Sequence, residues 1–100
     1  MSLYEILIPT KYGDDNKMVP LWFHKHWDQI VITLCGGMTI IRSTAIGRWV
    51  SEGILYEDHV IPVRIACTEE QIKDIAKTTK ELYRQKAVMY YKISDEVVIL

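Results

Sequence analysis

The sequence predicts an α+β domain whose elements follow one another in the order β-α-β-β-α-β. Three observations lead to this prediction. Some segments alternate apolar and polar residues, two longer segments repeat apolar residues at helical spacing, and glycines punctuate the stretch from Gly37 to Trp49 between them. Because that stretch turns the chain back along a further strand after the first helix, two strands stand consecutively in the middle of the order.

The first half begins with a strand and a polar connection. Apolar residues alternate at Tyr4, Ile6 and Ile8, so Tyr4 to Thr10 is expected to be a strand with one buried face. The next segment, Lys11 to Lys17, is rich in residues that form turns.

The first helix is predicted from Pro20 onward, because a residue without an N–H is tolerated in the first turn of a helix. Gly36 and Gly37 are expected to end it with a left-handed residue. Five apolar residues recur at helical spacing between these limits and define one face: Phe23, Trp27, Ile30, Val31 and Leu34.

The middle of the chain predicts two more strands and a hairpin. Met38 to Arg42 is short and β-branched, and Trp49 opens or continues a hairpin that turns at Ser51 to Gly53. The third strand is expected from Asp58 to Cys67. Pro62 lies within it and cannot donate a ladder hydrogen bond, so it should face a bulge or an unpaired position.

A second helix and a last strand complete the order. Thr68 and Gln71 have the spacing of a capping box, which fixes the start of the helix. The last strand is expected from Ala87 to Ile93, with Val97 to Leu100 as an extension or a free edge segment. The inward face of the helix is expected to comprise Ile72, Ile75, Ala76, Thr79, Leu82 and Tyr83.

Two β-α-β halves of similar length predict a single ferredoxin-like domain over residues 1–100. In this sandwich a four-stranded antiparallel sheet carries two helices on one face, and right-handed crossovers set the strand order 4-1-3-2. Strands one and three are then neighbours, so Glu5 and Arg64 are expected to pair on the open face.

The open face is expected to be apolar, and it therefore predicts a homo-oligomer, either a dimer or a dimer of dimers. Its apolar members would be Leu7, Val60, Pro62, Ala66 and either Val88 or Met89.

Composition excludes several classes of function. The chain has 100 residues, 49 % of them hydrophobic and 25 % charged, with a net charge of −1. A nucleic-acid surface needs a basic excess, and a membrane span needs about 20 apolar residues in a row, so neither partner is expected. Cys35 and Cys67 match no zinc or redox spacing, and two reduced, buried cysteines indicate a cytoplasmic location. A reactive Cys67 is the alternative, because the start of the second helix would lower its pKa if it were exposed.

The three histidines predict neither a metal site nor a cofactor. Residues two apart on a helix point about 200° from each other, so His24 and His26 cannot share an ion. His24 and Asp28 are one turn apart, but they make a weak set of only two ligands. His59 stands alone at the start of a strand.

Five residues are candidates for binding a small molecule: Arg48, Trp49, Tyr90, His24 and His59. Arg48 beside Trp49 favours a rim that holds an anion or a flat ring. The alternative is that Trp49 packs over the sheet edge or an interface, where tryptophan is enriched.

The stretch from about Trp22 to Val88 resembles an uncharacterised family of short bacterial domains. The likeness rests on Gly-x-Thr at Gly37 to Thr39 and Gly-x-Trp at Gly47 to Trp49. The family also has Tyr-x-x-Gln before its last strand, and here Tyr83 and Gln85 stand one residue closer. The resemblance implies a ferredoxin-like fold and carries no activity. The topology alone is also similar to that of the dimeric α+β barrel proteins.

Together these observations favour a small homo-oligomeric binding or accessory module that lacks catalytic machinery. The alternative is a cofactor-independent enzyme of the dimeric α+β barrel type, acting on a small apolar or aromatic substrate. Such an enzyme needs an enclosed cavity of a few hundred Å³ into which a histidine or arginine projects. A third possibility is a module that binds a partner along an exposed strand edge.

Overall fold

The computed structural model describes residues 1–41 and 43–100 and contains seven elements in the predicted order, with the second strand in two pieces. Neither described helix is long and apolar enough to cross a bilayer. The elements are β1 (Ser2–Pro9), α1 (Leu21–Cys35), β2 (Thr39–Ile40), β3 (Ala45–Ser51), β4 (Ile54–Cys67), α2 (Glu69–Leu82) and β5 (Tyr90–Ser94).

The sheet confirms the ferredoxin-like prediction, including the strand order. β4 and β1 are the central strands, β5 pairs with the free side of β1, and both β2 and β3 pair with β4. All of these pairings are antiparallel. Since β2 and β3 pair with different parts of one strand, they share a single edge position, and the sheet has four rows.

Pro62 explains why the edge row is interrupted. β2 ends with Ile40 opposite Val63, and β3 begins with Ala45 opposite Val60, so Pro62 lies opposite the interval between them. A proline cannot donate a hydrogen bond to an edge strand, and here its carbonyl accepts one from Ile41 N–H over 3.0 Å. Pro62 is therefore bonded to the edge row through its carbonyl only, at the break between β2 and β3. The predicted second strand, 38–42, is shortened to two residues; Arg42 itself lies outside the described residues.

The register between β1 and β4 places Glu5 opposite Arg64, as predicted. The Nε atom of Arg64 donates to Oε1 of Glu5 over 3.2 Å. On the open face Pro62 is buried and Leu7, Val60 and Ala66 are half-buried, whereas Met89 and Tyr91 are exposed. The exposed apolar part of this face is therefore concentrated at its β5 edge.

The first helix begins and ends where the sequence predicts, and the second begins where it predicts. Gly36 has a φ of 84°, and its N–H donates to the carbonyl of Ile32 to close α1. The capping box of α2 is complete: Gln71 N–H donates to Oγ1 of Thr68 over 3.2 Å, and Thr68 N–H donates to Oε1 of Gln71 over 2.9 Å.

The core lies between the helices and the sheet. The predicted face of α1 is correct at Trp27 and Val31, but wrong at Leu34, which is 44 % exposed, whereas Cys35 beside it packs against the core. The predicted face of α2 is confirmed, with Ala76 and Leu82 only partly buried. Its fully buried members are Ile72, Ile75, Thr79 and Tyr83.

The loop between β1 and α1 is attached to the end of α2. Gly13 N–H donates to the carbonyl of Tyr83 over 3.0 Å, and Nε2 of Gln85 donates to the carbonyl of Lys11 over 2.8 Å. The Arg84 guanidinium lies 2.9 Å from the Asp14 carboxylate. A Cβ atom on Gly13 would overlap the Arg84 carbonyl, so glycine permits this close approach.

The C-terminal predictions need correction. The last strand, expected from Ala87 to Ile93, covers Tyr90–Ser94. Val97 to Leu100 does not extend it; Val98, Ile99 and Leu100 are all exposed. The apolar run Ala87 to Met89 led the strand to be placed too early; of these residues Met89 is hydrogen-bonded to β1, its carbonyl accepting from Leu7 N–H over 3.1 Å.

Candidate functional sites

β3 and the first part of β4 form a two-stranded arm, comprising residues 45–51 and 54–59. β1 pairs with β4 only from Val60 onward, so the arm has no third strand. Glu52 and Gly53 make the turn with φ values of 51° and 76°, the left-handed pair typical of a tight hairpin. The arm contributes to an elongated shape, with extents of 45 × 29 × 24 Å.

The surface of the arm is largely apolar. Trp49 and Tyr56 are opposite each other in the register and stack with ring centroids 5.8 Å apart and planes inclined by 14°. Both remain exposed, at 46 % and 42 %. The exposed large apolar side chains of the arm are Ile46, Trp49, Val50, Ile54, Leu55 and Tyr56.

A small polar group lies beside this apolar surface. Nε of Arg48 donates to Oε2 of Glu57 over 2.8 Å, and Nε2 of His59 lies 3.9 Å from Oε1 of the same carboxylate. The hydrogen bond from Arg48 lowers the pKa of Glu57, so the carboxylate is ionised at neutral pH. One face of the arm therefore carries the stacked rings, and the opposite face carries the Arg48–Glu57 ion pair with His59 beside it.

A cavity of about 140 Å³ lies between α1 and the sheet. Ile8, Trp27 and Val63 are buried at its floor, whereas Leu21 and Ile40 are exposed at its rim. The cavity is half open to solvent, and a larger depression of about 320 Å³ beside Gln29 and Thr33 is an open surface, so neither is the enclosed cavity that the enzyme alternative requires. Its lining residues are Ile8, Leu21, His24, Trp27, Asp28, Ile40, Ile61 and Val63.

Two titratable side chains line the cavity, both from α1. Nδ1 of His24 lies 2.8 Å from the Tyr83 hydroxyl, and the two rings are tilted by 31°. Burial lowers the pKa of His24, and the nearby Asp28 carboxylate opposes this shift. Burial raises the pKa of Asp28, opposed by His24 and Lys25. Burial also raises the pKa of Tyr83, so its hydroxyl keeps its proton.

The two cysteines are free thiols and lie next to each other, which their separation in sequence gave no reason to expect. The Gln71 side chain holds their backbones together, because its amide bonds both Thr68 N–H and the carbonyl of Leu34, at 2.9 and 3.0 Å. Cys67 is buried as predicted, and Cys35 is half-buried. The reactive alternative is wrong, since burial raises the pKa of Cys67 to about 12.

The structure separates the five candidate binding residues into three places. Arg48, Trp49 and His59 are all on the arm, but Arg48 and His59 lie on one face and Trp49 lies on the opposite face, so the predicted rim of Arg48 beside Trp49 is not formed. His24 lines the cavity. Tyr90 is on β5, where its ring meets that of Tyr4 edge-on at 6.3 Å. The five residues do not form one pocket.

Sequence reasoning missed the partners of these residues. The hairpin turn it identified fixes the register, and counting back from that turn would have placed Tyr56 opposite Trp49 and Glu57 opposite Arg48. Tyr83 was assigned to the core alone, and no sequence signal connects it with His24 across the two helices.

The positions of the possible metal-ligating side chains show whether one copy of the chain can hold an ion. Within residues 1–41 and 43–100 there is no group of three or more histidine, cysteine, aspartate or glutamate side chains that could hold an ion. Within the described chain, therefore, no metal centre is assembled from a single copy.

These features define an α+β protein of ferredoxin-like fold with a projecting two-stranded arm. Among solved structures, it is similar to CutA1 from Oryza sativa, with a TM-score of 0.68 and 12 % identity, covering 98 % of this chain and 82 % of that one. The periplasmic divalent cation tolerance protein CutA from Archaeoglobus fulgidus gives 0.67 and 11 %, covering 98 % and 86 %. The divalent ion tolerance protein CutA1 from Ehrlichia chaffeensis gives 0.64 and 12 %, covering 98 % and 83 %.

At these identities the likeness shows the fold. No family model and no curated protein matches the sequence. The expected resemblance to an uncharacterised family is corrected in one respect: the structural neighbours are CutA1 proteins, although they too have a small ferredoxin-like α+β domain.

Proposed function

We propose that this protein is a homo-oligomeric accessory module that acts in divalent-cation tolerance, and that its arm packs against another copy of the chain. The observation that carries the proposal is the exposed apolar surface of the arm. The second support is that solved structures of the same fold are named for divalent-cation tolerance. The cytoplasmic location stays a prediction, and the Archaeoglobus fulgidus protein is named periplasmic.

The arm supports association for an energetic reason. A two-stranded hairpin is at best marginally stable alone in water, and a third strand or a packed surface is needed to hold it. Its apolar side chains, exposed between 42 % and 68 %, gain that support only from outside their own chain. Contiguous apolar patches of this kind on small proteins mark interaction sites, and tryptophan is enriched in them.

Cation binding would then require donors from more than one copy. Glu57 and His59 are two apart on a strand, so they lie on the same side of the arm. They offer an ionised carboxylate and an exposed imidazole, which are two of the ligand types that zinc accepts. A closed site needs about four ligands, so a second arm would have to supply the others.

The association is tested by light scattering at two protein concentrations. We expect the wild-type protein to be a multimer that persists on dilution, and Leu55→Lys to be monomeric. Leu21→Lys is the matched control, because Leu21 is 67 % exposed on α1 and Leu55 is 66 % exposed on the arm. A monomeric wild-type protein, or equal effects of the two variants, would contradict the proposed role of the arm.

Cation binding is tested separately by titrating ZnCl₂ into the protein in a calorimeter. We expect His59→Ala to remain a multimer and to bind Zn²⁺ more weakly, whereas His26→Ala, at an exposed position on α1, keeps the wild-type affinity. Zn²⁺ binding by monomeric Leu55→Lys with wild-type affinity would show that the site is not shared between copies.

A further inference from the structure

We propose that the cavity between α1 and the sheet binds a small organic cation, a primary amine whose apolar part is about the size of a benzene ring. The cavity lies in the part of the molecule outside the arm, so this proposal is independent of the function proposed above. It rests on the volume of the cavity, the nature of its lining and the placement of Asp28.

The size and lining of the cavity fit an apolar body. Its volume is about 140 Å³, and it opens to solvent between the exposed side chains of Leu21 and Ile40. An enclosed apolar cavity of about 150 Å³ in another protein accepts benzene, which sets the size of ring that this volume can hold. Six of the eight lining side chains are apolar. Trp27 belongs to them in practice, because its single polar atom, Nε1, donates to Oγ1 of Thr79 over 2.8 Å and is not available to a ligand.

The charge at the cavity selects the head group of the ligand. Asp28 lines the cavity and forms no hydrogen bond or ion pair with any described residue. A carboxylate beside an apolar cavity is best satisfied by an ammonium group, which gives both charge and hydrogen bonds. Lys25, on the same helix, is the positive group nearest to Asp28 in sequence. Its positive charge partly offsets the attraction of Asp28 for an ammonium group, so we expect only a modest preference for cations over neutral ligands.

His24 adds a neutral hydrogen-bond donor. The Tyr83 hydroxyl keeps its proton and has no other hydrogen-bond partner among the described residues, so it donates to Nδ1 of His24. The proton of the neutral imidazole is then on Nε2. Nε2 can therefore donate a hydrogen bond but has no free lone pair to accept one. Asp28 is consequently the acceptor that an ammonium group would meet.

The same tautomer argues against a metal ion in this cavity. A metal would need the lone pair of Nε2, and Asp28 alone would remain as a second ligand. Zn²⁺ is therefore included in the experiment as the competing ligand.

The test is an NMR titration that follows the indole N–H signal of Trp27. We expect benzylammonium to shift this signal saturably, benzyl alcohol to shift it more weakly, and phenylacetate to have the least effect. Since partly exposed ion pairs contribute modestly, Asp28→Asn should weaken benzylammonium binding about two- to fivefold and leave benzyl alcohol binding unchanged. Asp74→Asn, which removes an exposed carboxylate from α2, is the matched control and should bind like the wild-type protein.

Three results would overturn the proposal. The first is that benzylammonium gives no saturable shift at Trp27. The second is that Asp28→Asn and Asp74→Asn weaken its binding equally, which would assign the effect to net charge. The third is that Zn²⁺ shifts the signals of His24 and Asp28 at lower concentration than benzylammonium does, which would make the cavity a metal site.

Discussion

The two halves of β4 have the same backbone conformation but different surroundings. From Val60 to Cys67 the strand lies between β1 and the edge row and contacts the core, and four of these eight residues are buried. From Ile54 to His59 it pairs only with β3, and every residue is exposed. Residues 60–67 of β4, together with β1, α1, β2, α2 and β5, form what we call the body. Residues 54–59 belong to the arm.

The difference teaches that apolar composition alone does not locate the core. Ile54, Leu55 and Tyr56 are as apolar as Val63 and Ile65, but only the latter have helices packed over them. The body is stabilised by burial within one chain, whereas the arm must obtain its burial from a partner. Four comparisons test this division, from the largest expected effect to the smallest.

Trp27→Ala should lower the free energy of unfolding by about 3–5 kcal/mol, because it removes a large buried side chain from the body. Trp49→Ala should act through association, so its effect on the melting temperature should grow with protein concentration. Thermal melts at two concentrations distinguish the two. A concentration-independent loss for Trp49→Ala would mean that the ring stabilises its own chain.

Gly13→Ala should destabilise the protein by about 1–3 kcal/mol, since the added Cβ atom overlaps a backbone carbonyl of the body. In the arm, Gly53 has a φ of 76° but no atom near the site of a Cβ, so Gly53→Ala costs only the left-handed conformation, about 1–2 kcal/mol. Urea unfolding measures both. Gly37→Ala, which has neither constraint, is the control and should be neutral or nearly so.

Arg64→Ala should cost about 1–3 kcal/mol, because it leaves the buried Glu5 carboxylate without its hydrogen-bond donor. Arg48→Ala removes a similar contact from an exposed carboxylate on the arm and should not change the stability of the monomer measurably. The free energy of unfolding of each variant is measured by denaturant titration in the monomeric Leu55→Lys background, and the two losses are compared. Equal losses would show that the arm is as desolvated as the body.

The smallest expected effect is a pH dependence. Burial lowers the pKa of His24 in the folded state, so its contribution to stability is present above the unfolded pKa of about 6.5 and is lost as the pH falls below that value. As the pH falls from 7.5 to 5.5, the free energy of unfolding of the wild-type protein should decline, and this decline should be smaller in His24→Gln. His59→Gln, in the exposed arm, is the control, and a decline that His24→Gln leaves unchanged would contradict the assignment.

Most of the fold could be predicted from the sequence because local signals agreed with one another. The capping box at Thr68, the left-handed Gly36 and the hairpin turn each act within a few residues, and each is confirmed. Pro62 also marked the break between β2 and β3 in the edge row. Alternation was less informative at the ends of strands, so the starts of β4 and β5 were misplaced.

The candidate sites were less predictable because they depend on contacts distant in sequence. Trp49 and Arg48 were recognised as unusual, but the sequence offered both a ligand rim and an interface, and only the exposure of the arm favours the interface. His24 was among the candidates, and the cavity that it lines depends on β1, β2 and β4 converging on α1. The neighbouring thiols of Cys35 and Cys67 likewise depend on a fold-level contact.

The attachment of the loop between β1 and α1 to the end of α2 has a consequence for folding cooperativity. Gly13 and Lys11, in the first half of the chain, are hydrogen-bonded to Tyr83 and Gln85 in the second half. Neither β-α-β half can open without breaking these bonds. In native-state hydrogen exchange, the amide of Gly13 should therefore exchange only through global unfolding, despite lying in an exposed polar loop.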